Sequence, residues 1–188
     1  MVYSMDGGAT WQEQDLGSYP HKPDRRALCG APDGSLYAAV GCDWSMGAGG
    51  GTGLFRCAPG AQSFEALALP AELDEHYPIC GVAAGGSGEV IISAETSSEN
   101  NWPALYYTAD EGGSWQALEL PWEDVQADGV SFLYRVSWLR QQEDGTWQLC
   151  LTQEPTGVKG YDWCAVFTAP QPEGPWSFLS TGQDPASL

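Results

Sequence analysis

Thr108-Ala109-Asp110-Glu111-Gly112-Gly113-Ser114-Trp115 reads as the end of one strand, a tight turn and the start of the next. Ser4-Met5-Asp6-Gly7-Gly8-Ala9-Thr10-Trp11 repeats the pattern. Each copy has a hydroxyl residue, then Asp two positions on, Gly four on, Ser or Thr six on and Trp seven on. The spacing has a physical reason. An Asp carboxylate folds back onto nearby backbone N–H groups, and Gly supplies the positive φ of a tight hairpin. The hydroxyls can tie the two strand ends together. The Trp opens the outgoing strand with a large apolar ring to bury.

The aromatic after the turn marks a longer repeat. Trp11, Phe64, Trp115 and Trp176 are 53, 51 and 61 residues apart. A unit of about fifty residues has the length of a four-stranded propeller blade. On that period the chain divides into a half blade at 1–16 and blades at 27–70, 79–121 and 132–180, all in one domain spanning 1–188. The half blade holds only a third and a fourth strand. The second unit turns at Asp33-Gly34, and its outer turn is degenerate: Cys57 replaces the hydroxyl, Pro59 the Asp and Phe64 the Trp. In the third unit Ile79-Cys80-Gly81-Val82 matches Leu28-Cys29-Gly30-Ala31, and the fourth strands are expected over Phe64–Leu69 and Trp115–Leu120. The last unit turns at Glu143-Asp144-Gly145 and keeps Gly and Trp, without the Asp, in its closing turn. The expected fold is therefore all-β: a propeller-like array of about three and a half four-stranded antiparallel blades. No stretch shows a convincing helical period.

Composition agrees. Of 188 residues 43% are apolar, with Gly 24, Pro 13, Trp 9 and Tyr 8, as suits short strands joined by turns. The net charge of −18 repels phosphate backbones and anionic lipid, so nucleic acid and membrane surfaces are poor partners. The six cysteines show no C-x-x-C spacing, and His21 and His76 show no metal-ligand pattern, so neither a metal nor a cofactor is expected. Buried free thiols are favoured over disulfides. The given chain shows no signal peptide or transmembrane segment, which leaves the compartment open and leans to the cytoplasm.

The two eight-residue turns resemble the Asp-box, or BNR repeat, of sialidases and related β-propellers. The resemblance covers nearly the whole chain at the level of the repeat. It implies that Ser4, Asp6, Gly8, Thr10 and Trp11, with Thr108, Asp110, Gly112, Ser114 and Trp115, hold structure on the rim away from a ligand. Sialidases hold the sugar carboxylate with three arginines and use a Tyr nucleophile activated by Glu, with an Asp as acid/base. Here the Arg-Ile-Pro type motif is absent and no Glu–Tyr pair can be assigned, so no catalytic residue is named.

In a propeller the ligand face carries the loops joining second to third strand, and fourth strand to the next first strand. Those loops place Asp43-Trp44, Glu95 and Trp102, and Tyr161-Asp162-Trp163 together, with Arg25 and Arg26 in a neighbouring loop and Arg135 near the channel. Aromatic faces beside carboxylates and amides suit sugars, since rings stack on C–H faces and planar polar groups bind hydroxyls. Trp102 and Trp163 directly precede a third strand, where packing between blades competes with ligand contact. Trp44, in a glycine-rich loop, is the better ligand candidate. The expected function is a non-catalytic module binding a ligand, a glycan or a protein. The alternatives are a sialidase-like glycoside hydrolase with an incomplete active site, and a structural protein–protein scaffold. Three and a half blades also imply a missing propeller half, assembly of two copies or an open array, and a partial propeller repaired by self-association into a homo-oligomer is favoured.

Overall fold

The computed structural model describes residues 2–4, 6–16, 28–40, 52–73, 79–86, 88–94, 102–127, 135–152 and 163–183. Its strands form four sheets in chain order, every pair antiparallel. The first sheet pairs β1 (Val2–Tyr3) with β2 (Gln12–Glu13). The second holds β3 (Leu28–Gly30), β4 (Leu36–Val40), β5 (Gly53–Cys57) and β6 (Glu65–Ala66). The third holds β7 (Ile79–Ala84), β8 (Val90–Ala94), β9 (Ala104–Thr108) and β10 (Gln116–Ala117). The fourth holds β11 (Arg135–Gln141), β12 (Trp147–Thr152), β13 (Trp163–Ala169) and β14 (Ser177–Gln183). Within each full sheet spatial order follows chain order, so each is a simple meander. Among the described residues the array is propeller-like: three four-stranded sheets and a two-stranded one.

Period-two alternation sends residues of one strand to two different cores. Tyr37 and Ala39 face the third sheet and pack with Val82, Val90 and Ile92. Ala38 and Val40, between them on β4, face the first sheet and pack with Tyr3 and Phe64. On β8, Ile91 faces the fourth sheet and joins Leu149, Leu151 and Phe167. The third sheet is thus covered on both sides, and every residue of β7 and β8 is buried.

The hairpins are set by turn chemistry. Ala31 N donates to Ser35 O at 2.8 Å, and Asp33 takes the Ser35 N–H and hydroxyl at 2.8 and 3.0 Å, while Gly34 sits at φ +91°. Gly85 N donates to Glu89 O at 2.8 Å in the third sheet's counterpart. This hairpin register pairs Gly30 with Leu36 and Ala84 with Val90. Gly30 therefore corresponds to Ala84, and the sequence match of Cys29-Gly30 to Cys80-Gly81 is three residues out of register. Hydrogen bonds in the turn fix the alignment, and residue likeness does not.

The inner strands β3, β7 and β11 run side by side. At Gly81 the approach is close: a Cβ there would fall 2.6 Å from both Ser93 Oγ and Val136 O. Ser93 Oγ uses the space to accept from Val136 N at 2.9 Å, which bonds the third sheet to the fourth.

Two expectations are corrected. The outer strands β6 and β10 pair over two residues each rather than six, although Leu67 N and Leu118 N extend the ladder to Leu54 O and Leu105 O. A helix is also present: α1 (Trp122–Ala127), in the connection from β10 to β11. Six residues are too few to show a 3.6-residue period. Glu123 and Asp124 in its first turn complement the helix dipole. Tertiary packing supplies the rest, since Trp122 stacks on Trp102 with centroids 4.6 Å apart and Val125 is fully buried.

Candidate functional site

The two eight-residue turns carry the densest polar chemistry among the described residues. In the first, Ser4 Oγ donates to Asp6 Oδ1 at 2.9 Å and accepts from Gly8 N at 2.7 Å. Thr10 donates its N–H to Asp6 Oδ1 at 2.8 Å and its hydroxyl to Oδ2 at 2.7 Å. The second matches it. Thr108 Oγ1 donates to Asp110 Oδ1 at 2.6 Å and accepts from Gly112 N at 3.0 Å, and Ser114 gives Asp110 its N–H and hydroxyl, both at 2.8 Å. These bonds favour the charged carboxylates. The Thr10 hydroxyl and N–H, then the Ser4 hydroxyl, bring Asp6 down from 3.8 to about 2. The Thr108 hydroxyl, then the Ser114 N–H and hydroxyl, do the same for Asp110. A carboxyl ionised that far down is a poor proton donor near neutrality. All ten residues singled out in these turns take part in, or directly flank, the bonded unit.

Four rings hold equivalent places. Trp11, Phe64, Trp115 and Trp176 each stand immediately before the outermost strand of their sheet. Three of them pack. Phe64 meets Tyr3 edge-on, Trp115 Nε1 donates to Ala68 O at 2.8 Å, and Trp176 is buried. Trp11 is 66% exposed, contrary to the burial expected of it.

Of the ten ligand-face candidates, Arg25, Arg26, Asp43, Trp44, Glu95, Tyr161 and Asp162 lie outside the described residues. Trp163 opens β13, but its side chain lies outside the description. Two remain. Trp102 is buried and stacked on Trp122, within the core shared by the third and fourth sheets. Arg135 opens β11, and its Nε donates to Thr152 Oγ1 at 3.0 Å, the same oxygen that Ser137 Oγ meets at 2.7 Å. Among the described residues no group of three or more His, Cys, Asp or Glu could hold a metal ion, and no helix is long and apolar enough to cross a membrane. Of the cysteines, Cys29, Cys57, Cys80, Cys150 and Cys164 are free thiols, and Cys42 lies outside the description.

The sequence reading missed a cavity of about 330 Å³ at the other end of the inner strands, beside their hairpins. Gly30, Ala31, Ala83 and Ala84 give it a wall of small residues, and Ser137 and Trp138 close it from β11. Arg140 lies over the Trp138 ring, 3.8 Å from its centroid. Cys29 also lines the space, and burial pushes its thiol up to about 12, so it is protonated and unreactive at neutral pH. Small residues at the hairpin end of successive first strands were the available signal. The three-residue register error hid it.

The site and fold define a class, a propeller-like β protein with hydrogen-bonded Asp turns on its outer hairpins. No family model matches the chain, and no curated protein does. Among solved structures the chain is similar to YCF48 bound to a D1 peptide, with 16% identity and a TM-score of 0.45. The match covers 82% of this chain and 40% of that one, so the chain spans about two fifths of the length of that structure.

Proposed function

We propose that this chain is a non-catalytic propeller module of the BNR/Asp-box type that binds a ligand, a glycan or a protein segment, on its loop face. The observation that supports this reading is the complete use of Asp6 and Asp110 inside their turns. Each carboxylate takes three hydrogen bonds from residues within four positions of it, which suits a staple and not an acid/base pair. Arg135, expected near the channel, donates its Nε to Thr152 Oγ1 and keeps a cation at the start of an inner strand. The loops bearing Arg25, Arg26, Asp43, Trp44, Glu95, Tyr161 and Asp162 then supply the contacts, with Trp44 as the stacking platform.

An array of neutral and sialylated glycans tests the ligand class, alongside turnover of a fluorogenic sialoside. Binding without turnover, lost in Trp44→Ala and weakened in the Arg25→Ala/Arg26→Ala double variant, is the expected result. Turnover would replace this reading with the sialidase-like hydrolase. Silence in both assays, with a protein captured reproducibly through the same loops, would leave the protein-binding form of the module.

A further inference from the structure

The cavity beside the inner hairpins has an uncharged wall in a strongly acidic chain. The protein carries 25 Asp and Glu against 7 Lys and Arg, yet none of the residues lining this space has a charged side chain. Cys29 stays a neutral thiol there, because burial holds it protonated. Pro32, Trp138 and Leu139 supply apolar surface, and the small residues of β3 and β7 leave the room. Trp138 comes to this wall just after a β-bulge, since the register of β11 on β12 shifts between Val136 and Trp138.

The backbone adds polar groups. In an antiparallel pair, residues that exchange bonds alternate with residues whose N–H and C=O point away from the partner strand. Ala31 bonds Ser35, and Gly85 bonds Glu89. Gly30 and Ala84, one residue earlier, therefore turn their N–H groups away from β4 and β8. Gln142 bonds Thr146, and the same alternation turns the Leu139 N–H away from β12. All three residues line the cavity. The Ala84 amide meets the Cys29 sulfur, and those of Gly30 and Leu139 are donors for a ligand.

A cation stands beside the wall. Arg140 lies over the Trp138 ring, 3.8 Å from its centroid. Among the described residues Arg56 is paired with Glu111 and Arg135 bonds Thr152. Arg140 has the ring and no ion pair, so its planar fork of N–H donors is open to a further group. We infer that this cavity binds a small monocarboxylic acid, its apolar body against Trp138 and Pro32 and its carboxylate on Arg140, with the inward amides of Gly30 and Leu139 as further donors. A volume of about 330 Å³ is at the lower end of ligand pockets and limits the acid to a compact body. One negative charge suits a chain of −18, which repels polyanions. The site is independent of what the loop face binds.

Phenylacetate and hexanoate, titrated into the isotopically labelled 188-residue chain, test it by amide and indole NMR shifts, with phenylacetamide and hexanamide as uncharged counterparts. Saturable shifts at Gly30, Ala84, Leu139 and the Trp138 indole are expected, with the amides at least about tenfold weaker than the acids. Arg140→Gln should bring the acids down to the affinity of the amides, and Arg140→Lys should recover part of the loss. Arg140 is exposed, so both variants should melt with the wild type. Trp138→Ala should weaken acids and amides alike. Equal affinity for acids and amides overturns the inference. So do shifts confined to other residues, and so does the lack of a saturable shift with either acid at about 10 mM.

Discussion

The turns at Ser4–Trp11 and Thr108–Trp115 close with the same hydrogen bonds, yet their tryptophans live in different surroundings. Trp115 is half-buried with its N–H on Ala68 O, whereas Trp11 stands in the open. The bonds of the turn involve partners no more than four residues apart, so they form wherever the sequence occurs. Covering the ring needs a sheet upstream, and among the described residues only the later turn has one. A second difference follows the first. Gly7 and Glu111 hold the same position, both left-handed, at φ +70° and +60°. Glu111 tolerates a conformation that favours glycine and reaches across to Arg56 of the second sheet at 2.6 Å. At the first turn glycine takes that position and carries no side chain to reach a neighbouring sheet.

Truncating the rings tests the comparison most sharply. Trp176→Ala, at a buried slot, should cost about 3–5 kcal/mol, and Trp11→Ala at the exposed slot no more than about 0.5 kcal/mol, read by chemical denaturation of the monomer. Equal losses would mean that Trp11 is covered in solution. The left-handed position comes next. Gly7→Glu should destabilise by roughly 1–2 kcal/mol, since the new side chain gains no arginine. Glu111→Gly should be near neutral, within about 1 kcal/mol, because relieving the backbone offsets a partly exposed ion pair. A large loss in Glu111→Gly would show that the bridge holds the boundary more tightly than its exposure implies. The smallest effect is in pH. Both turn carboxylates titrate below the ordinary range, so the stability they contribute is present above the usual carboxylate pKa and is lost as pH falls through about 2. NMR titration of Asp6 and Asp110 should give matching midpoints near 2. A higher midpoint for Asp6 alone would show that the neighbouring sheet, and not the turn, sets the value.

What the sequence revealed follows the same division between local and distant causes. The outer turns, the ring markers and the antiparallel meander were legible because each rests on residues close together in the chain. The helix at Trp122–Ala127 was not, because stacking on Trp102 and burial of Val125 hold it, and both are tertiary. The register of the first strands was misread because Cys29-Gly30 resembles Cys80-Gly81, while the hairpin bonds of Ala31 and Gly85 set the true correspondence. Trp102 shows the limit for the candidate site. Its place before a third strand suits both a ligand platform and a core residue, and only its partner Trp122, twenty residues away, shows where the ring goes.

The bare backbone at Gly81 also sets how closely the inner strands of the third and fourth sheets approach. β7 presents no side chain there and lets Val136 of β11 come into contact. A larger residue at that position would hold the two strands apart like a shim and sever the bond from Val136 N to Ser93 Oγ.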